Sequence, residues 1–202
     1  MDRRIEQGKG TRQALIETAT RLFAARGYAN TSIDAVLEES GVSRGALYHH
    51  FDGKEALFEA VLEATEARIA AQLAESAGGI GDPIEAMRQG AIAWLRLSRD
   101  PVIRQVTLLD APSVVGWERW RAIDEKHGFG LLKGALEAAA ATGRVERGSI
   151  EMIAHVLLAA TLELALVIAR SADPEAALRE GAKAVSDLID GMVPGRPSPR
   201  RP

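Results

Sequence analysis

No proline interrupts the chain before Pro83, and apolar residues recur at three- and four-residue spacing along nearly all of it. Proline is the residue an α-helix interior tolerates least, and this spacing lines one face of a helix. Runs of period-two alternation rich in Val, Ile, Thr and Tyr, the signature of half-buried strands, are missing. Both features leave one architecture, helix packed on helix. Pro83, Pro101, Pro112 and Pro174 fall where helices start or stop, and Asp82, Asp100 and Asp173 precede three of them as caps. The spacing predicts an all-α chain of about nine helices, at about 9–26, 32–40, 44–51, 54–76, 83–98, 101–109, 113–141 (with a break at Gly128–Gly130), 149–169 and 174–192. The last four prolines crowd into the final nine residues with Arg196, Arg200 and Arg201, so 193–202 reads as a disordered basic tail.

Composition narrows the function. With 202 residues, 47% apolar and 26% charged, the chain can bury a sizeable core. The lack of cysteine excludes a disulfide scaffold, thiolate zinc sites and cysteine catalysis. A net charge of -3 argues against a uniformly basic nucleic-acid coat and leaves room for a local basic face. Residues 1–11 hold no apolar h-region. The most apolar stretch, 150–169, carries Glu151, His155 and Glu163, three ionisable groups that would each cost roughly 2.5–3.5 kcal/mol at membrane depth. A buried helix is therefore expected there, with no membrane partner and a cytoplasmic protein. His-Glu-x-x-His, Gly-x-Ser-x-Gly and P-loop patterns do not occur. Glu151 and His155, four apart, form only a single pair. No metal, no cofactor and no catalysis are expected.

The densest signal lies in residues 9–55. Leu15, Ile16, Ala19, Leu22 and Phe23 stripe the first helix, and Gly27 suits its left-handed end. Thr31 and Ser32 offer hydroxyl caps to a second helix, whose buried face is Ile33, Val36 and Leu37. Gly41 then suits a tight turn, Val42 plugs the angle, and Ser43 caps a third helix. Leu47 and Phe51, four apart, face inward and leave Arg44, Gly45, Tyr48 and His49 outside. Two short helices joined by a glycine turn, with a polar outer face on the second, describe a helix-turn-helix. Arg44 can read a guanine edge or hold a phosphate. Gly45, with no Cβ, lets base edges approach. Tyr48, His49 and His50 can donate to phosphate oxygens. Lys54, at the start of the next helix, and Thr31 and Ser32 can do the same. Ser43 and Ala46 complete the candidate DNA face. Spacing alone leaves a plain structural corner open. Residues 1–52 carry seven basic side chains and seven acidic ones, so DNA affinity requires sorting: Arg3, Arg4, Lys9, Arg12, Arg44 and Lys54 towards DNA, Glu38 and Glu39 away.

The runs Thr31-Ser32-Ile33, Ser40 to Phe51 and Lys54-Glu55-Ala56-Leu57 resemble the N-terminal domain of TetR-type transcriptional regulators. Arg12, Leu15, Ala19, Leu22-Phe23 and Gly27-Tyr28 match its first helix. The likeness covers residues 9 to about 69, and Leu37 departs from it, since the family usually has alanine there. The resemblance implies a homodimeric, all-helical, usually ligand-responsive repressor bound to a double-stranded operator. The head then spans 9–55, and 56–192 forms a ligand-binding and dimerisation body.

In that body Trp117 and Trp120 share a helix face. They read either as core or interface packing or, with Trp94, Phe129 and Leu131, as an aromatic pocket for a small, mostly apolar effector. Arg104, Asp110, Arg121, His127 and His155 are its candidate polar tips. The segment 108–120 is also similar to one found in actinobacterial-type members. The 150–168 helix, apolar on nearly every side, needs covering on more than one face. A second subunit can supply that cover through Val156, Ala160, Glu163, Val167, Val185 and Leu188. The expected protein is a repressor with two heads about 34–36 Å apart on a palindromic operator. The alternatives are a helical ligand-binding or enzymatic protein with a vestigial head, and a regulator without a small-molecule effector.

Overall fold

A computed structural model of the chain describes residues 2–192, with side chains from residue 8 onward; the expected tail, 193–202, lies outside the described residues. Every regular element among the described residues is helical. They are α1 (Asp2–Arg26), α2 (Ile33–Ser40), α3 (Arg44–His50), α4 (Lys54–Ala77), α5 (Pro83–Leu97), α6 (Ala111–Val114), α7 (Trp117–Asp124), α8 (Gly130–Ala141), α9 (Ile150–Arg170) and α10 (Pro174–Met192). A π-helical segment, Ile103–Asp110, leads into α6, and a shorter one, Glu125–Phe129, leads into α8.

The aspartates before the prolines cap as expected. Asp82 accepts the Ile84 and Glu85 N–H groups, Asp100 those of Val102 and Ile103, and Asp173 that of Ala176. Two boundaries differ from the expectation. Helix α1 starts at Asp2 rather than near Lys9, because the strong helix formers around Gly8 and Gly10 outweigh about 1 kcal/mol lost at each glycine. The expected 113–141 helix is divided, and the left-handed break falls at Gly116 (φ 79°), not at Gly128–Gly130. Gly128 instead stays helical within the shorter π-segment.

The chain forms two compact units. The first contains residues 1–66 and 100–123. Its core is built by Leu15, Ala19, Phe23, Val36, Leu47, Leu57, Phe58, Val61, Leu62, Ile103 and Val106, all essentially unexposed. Each of these side chains except Ala19 stabilises by about 1.5–3 kcal/mol. The Phe23 and Phe58 rings meet edge-on at 5.2 Å, and Tyr28 meets Phe58 at the same separation. Helix α1 packs on α2, α3 and the Ile103–Asp110 segment. Helix α4 begins in this unit, and its later residues belong to the second.

The second unit contains residues 67–99 and, among the described residues, 124–192. There α10 packs on α5 and α9, and α8 packs on α5 and α9. Leu95, Leu136, Leu157, Ala165, Ile168, Val185 and Ile189 form its core. At Gly181 α10 approaches α9 closely: a Cβ there would lie 3.3 Å from Cδ1 of Ile168. Arg88 ties the far end, donating to the Ser186 carbonyl at 3.1 Å and to Asp190 at 2.7 Å.

Candidate nucleic-acid interface

The sequence dictates the helix-turn-helix almost residue by residue. Gly27 ends α1 with φ 75°, and its N–H donates to the Phe23 carbonyl. Ser32 caps α2 by accepting the Ala35 N–H. Gly41, at φ 68°, ends α2 in the left-handed conformation that L side chains rarely adopt. Ser43 then caps α3 by accepting the Ala46 N–H at 3.2 Å. Leu47 and Phe51 turn into the core, which fixes the opposite face of α3 outward.

That outer face carries Arg44, Gly45, Tyr48 and His49, all exposed. Tyr48 is 50% exposed although it is a large aromatic. Nothing lies within 4 Å of where a Gly45 Cβ would be, so the helix surface there is open. Arg44 pairs with Asp34 of α2, and Arg21 pairs with Glu39. Each of these exposed pairs is worth little, so a phosphate or a guanine edge competes readily for Arg44. Pairing of Glu39 with Arg21 also removes one of the two acidic charges that the head must keep away from DNA. Arg12 lies over the Phe51 ring at 5.3 Å, at the end of α3.

Two expected DNA contacts are not freely exposed. Thr31 is 1% exposed, and its hydroxyl donates to the Gly27 carbonyl at 2.9 Å and also meets the Leu22 carbonyl. It is a buried tie at the end of α1, so it leaves the candidate DNA face. Lys54 is half-buried, with its ammonium 4.0 Å from the Tyr28 ring centroid. Burial pushes its pKa below the ordinary lysine value, while the Asp110 carboxylate pushes it back up.

The candidate pocket residues are divided between the two units. Arg104, Asp110, Trp117, Trp120 and Arg121 belong to the first. Trp117 and Trp120 do pair, with ring centroids 5.0 Å apart, but Trp117 is 60% exposed and Trp120 4%. Arg104 is exposed. Asp110 accepts the Tyr28 backbone N–H at 2.8 Å and the Gln105 amide at 3.0 Å. Trp94, Phe129, Leu131, His127 and His155 belong to the second unit. There the Trp94 indole donates to the Thr161 carbonyl at 3.2 Å, and Phe129 stacks near His155 with centroids 4.8 Å apart. Sequence reasoning missed Thr107. Its hydroxyl and the Trp120 indole N–H are both buried without a hydrogen-bond partner, in the same unit. Glu151 is committed to Lys133 at 2.9 Å, which holds its carboxyl below the usual range. No cluster of metal-ligating side chains occurs among the described residues.

Helix α9 is long and apolar enough to cross a membrane, by length and composition only. One side of it packs on α5, α8 and α10. Its other side shows Met152 at 63%, Val156 at 50% and Val167 at 52% exposure, with Ala160 and Glu163 between them. Of the six expected interface residues, Val185 alone is buried. It is fully buried against its own chain and has no face to offer a partner.

Comparisons with known proteins bear on both units. Residues 15–61 match the family described as bacterial regulatory proteins, tetR family, and residues 84–192 match the tetracyclin repressor-like C-terminal domain. The HTH-type transcriptional regulator AcrR of Shigella flexneri is 35% identical over 85 residues, 42% of this chain and 40% of that protein. The HTH-type transcriptional repressor AcnR of Corynebacterium efficiens is 41% identical over 66 residues, 33% of this chain and 35% of that protein. The chain therefore matches less than half the length of these curated relatives. A TetR-family transcriptional regulator of known structure from Pectobacterium atrosepticum shares the fold at a TM-score of 0.80 and 28% identity, over 95% of this chain and 98% of its own.

Proposed function

The chain belongs to the TetR family of bacterial regulatory proteins, and we propose that it is a homodimeric transcriptional repressor that leaves a palindromic operator when a small, mostly apolar effector binds. The observation that carries this reading is the outward face of α3. It lies behind a glycine turn and a serine cap and presents Arg44, Gly45, Tyr48 and His49 to solvent. An α-helix of this size fits the major groove, where Arg44 reads a base edge and Tyr48 and His49 hold phosphates. Ser32, Ser43, Ala46 and His50 border that face, and Lys54 reaches the backbone beside it.

A second copy of the chain is the natural cover for the exposed stripe Met152, Val156, Ala160, Glu163 and Val167 on α9, with Leu188 of α10 beside it. Without it, a helix of this apolarity would keep large aliphatic side chains in water. The effector reading is supported by the unpartnered Thr107 hydroxyl and Trp120 indole N–H, because buried polar atoms ordinarily find a partner. No catalytic step is assigned to the protein.

A mobility-shift assay with the DNA upstream of the chain's own coding region, repeated over a salt series and then with a panel of metabolites, tests the reading. The expected result is a salt-sensitive, sequence-selective shift that one class of apolar metabolite abolishes. Turnover or uptake of a metabolite without duplex binding would replace it with a helical enzyme or carrier. A shift that no metabolite alters would remove the effector.

A further inference from the structure

The loop after α1 and the π-helical segment Ile103–Asp110 are built to meet. Gly27 has no side chain, and a Cβ there would lie 3.3 Å from the Gln105 amide nitrogen and 3.7 Å from Asp110 Oδ2. Into that gap Asp110 extends its carboxylate. Oδ2 accepts the Tyr28 N–H at 2.8 Å, and Oδ1 accepts Gln105 Nε2 at 3.0 Å. The ring of the same Tyr28 supports the Lys54 ammonium at 4.0 Å, and the Asp110 charge acts on that ammonium. Tyr28 thus joins a carboxylate of the π-segment to a cation at the start of α4. Lys54 is only half-buried, so its long stem can carry the ammonium away from the ring towards solvent.

We infer that Asp110 is a positioning residue that holds the Lys54 ammonium over Tyr28 in the free protein, so that Lys54 is shared between this carboxylate and a DNA phosphate. The inference rests on the DNA-binding reading above and adds the residue that limits it. Arg44 has only an exposed partner to leave. Lys54 must leave the Tyr28 ring and the field of a carboxylate that two hydrogen bonds hold in place. Any movement that withdraws Asp110 from Tyr28 therefore releases a phosphate-binding cation in the head without altering α3.

The test is a double-mutant cycle on the full chain with Asp110→Asn, Lys54→Met and both together. Asparagine removes the charge but keeps an oxygen for the Tyr28 N–H, and its amide can still exchange a hydrogen bond with Gln105. Binding is read by fluorescence anisotropy over a salt series, on a duplex that the wild-type protein selects from a random pool and on sonicated genomic DNA. The expected result is that Asp110→Asn binds both DNAs several-fold tighter at low salt. Its plot of log affinity against log salt should steepen by about 0.9 for each head that gains a phosphate contact. In the Lys54→Met background the same substitution should change neither quantity. A loss of affinity from Asp110→Asn, or an equal effect in both backgrounds, overturns the inference and leaves Asp110 a structural tie. Asp110→Ser, small and uncharged yet still able to accept the Tyr28 N–H, carries the same expectation should the asparagine variant not fold. Selection of no duplex by the wild type would instead overturn the DNA-binding reading itself.

Discussion

At the scale of single residues, two side chains one helical turn apart on α3 are assigned different work. Arg44→Ala should cost about 1–3 kcal/mol of operator affinity and relax specificity at one base position if the guanidinium reads a base. Tyr48→Phe should weaken binding to all sequences alike, since a phosphate carries no sequence information. Binding measured against an operator library separates the two patterns. In the second unit, Asp82 makes a pH prediction. Its pKa is held below the ordinary carboxylate value, first by the Glu85 N–H, against a smaller opposing effect of desolvation, and then by the Ile84 N–H and Arg144. A carboxylate with a depressed folded pKa stabilises the fold above its unfolded pKa, and that contribution is lost as pH falls through the depressed value. Asp82→Asn should melt lower at neutral pH, because it loses the Arg144 pair, and its melting temperature should fall less between neutral and acid pH. Thermal melts from pH 7 to about pH 3, through and below the reference carboxylate range, check both halves.

The same scale exposes the limit of reading side chains from sequence. Ser32 and Ser43 were legible as caps because a cap is a local event, one hydroxyl and one N–H three residues on. Thr31 was not legible as a buried tie. Its hydroxyl bonds carbonyls four and nine residues back, and only the packed end of α1 brings the farther one within reach.

At the scale of elements, α9 gives the most decisive test. A helix packed on one side, with Met152, Val156 and Val167 exposed on the other, calls for a partner surface. Val156→Arg should leave the subunit folded, because position 156 is half in solvent, while the mass in solution halves. Light scattering coupled to gel filtration measures the mass, and circular dichroism confirms the fold. An unchanged mass would move the dimer interface elsewhere. The sequence identified α9 as a helix needing cover on two faces, but it also placed Val185 on the outer one. That residue shares the periodicity of Leu188 and Ile189, and periodicity alone does not say which of two apolar faces a neighbour has already taken. The π-segment marks a second limit. Gln105 and Asp110 are five residues apart, which points them to different sides of an α-helix. A turn closed by i→i+5 hydrogen bonds brings them together. A search at a period of 3.6 residues therefore finds the segment and misses the pair it presents.

For the whole molecule, the prediction is one of symmetry. If two copies pair through α9 and α10, the protected DNA should be a pseudo-palindrome. Its half-site centres should lie about one helical turn apart, about 10–10.5 base pairs, or a multiple of that. Hydroxyl-radical footprinting on the selected duplex reads the spacing directly. A single protected half-site would mean that one head binds alone. The all-helical class was evident from the lack of early proline and of strand alternation. The composition of the first compact unit was not, since it draws residues 100–123 together with the first 66. Local patterning contains no term for which distant segment will fill a core.

The Ile103–Asp110 segment carries one further consequence. A π-turn holds about one residue more than an α-turn, so losing a single codon inside it is the change best able to convert it to an ordinary helix. The wide turn is what absorbs the extra residue, so the turns on either side would keep their register while the side chains inside the segment were re-aimed. The apolar face of the helix would keep its place, and the contact disturbed would be the Gln105–Asp110 pair that meets the bare edge of Gly27. In-frame indels, more than substitutions, are where natural variants of this chain should differ in how firmly they grip their target.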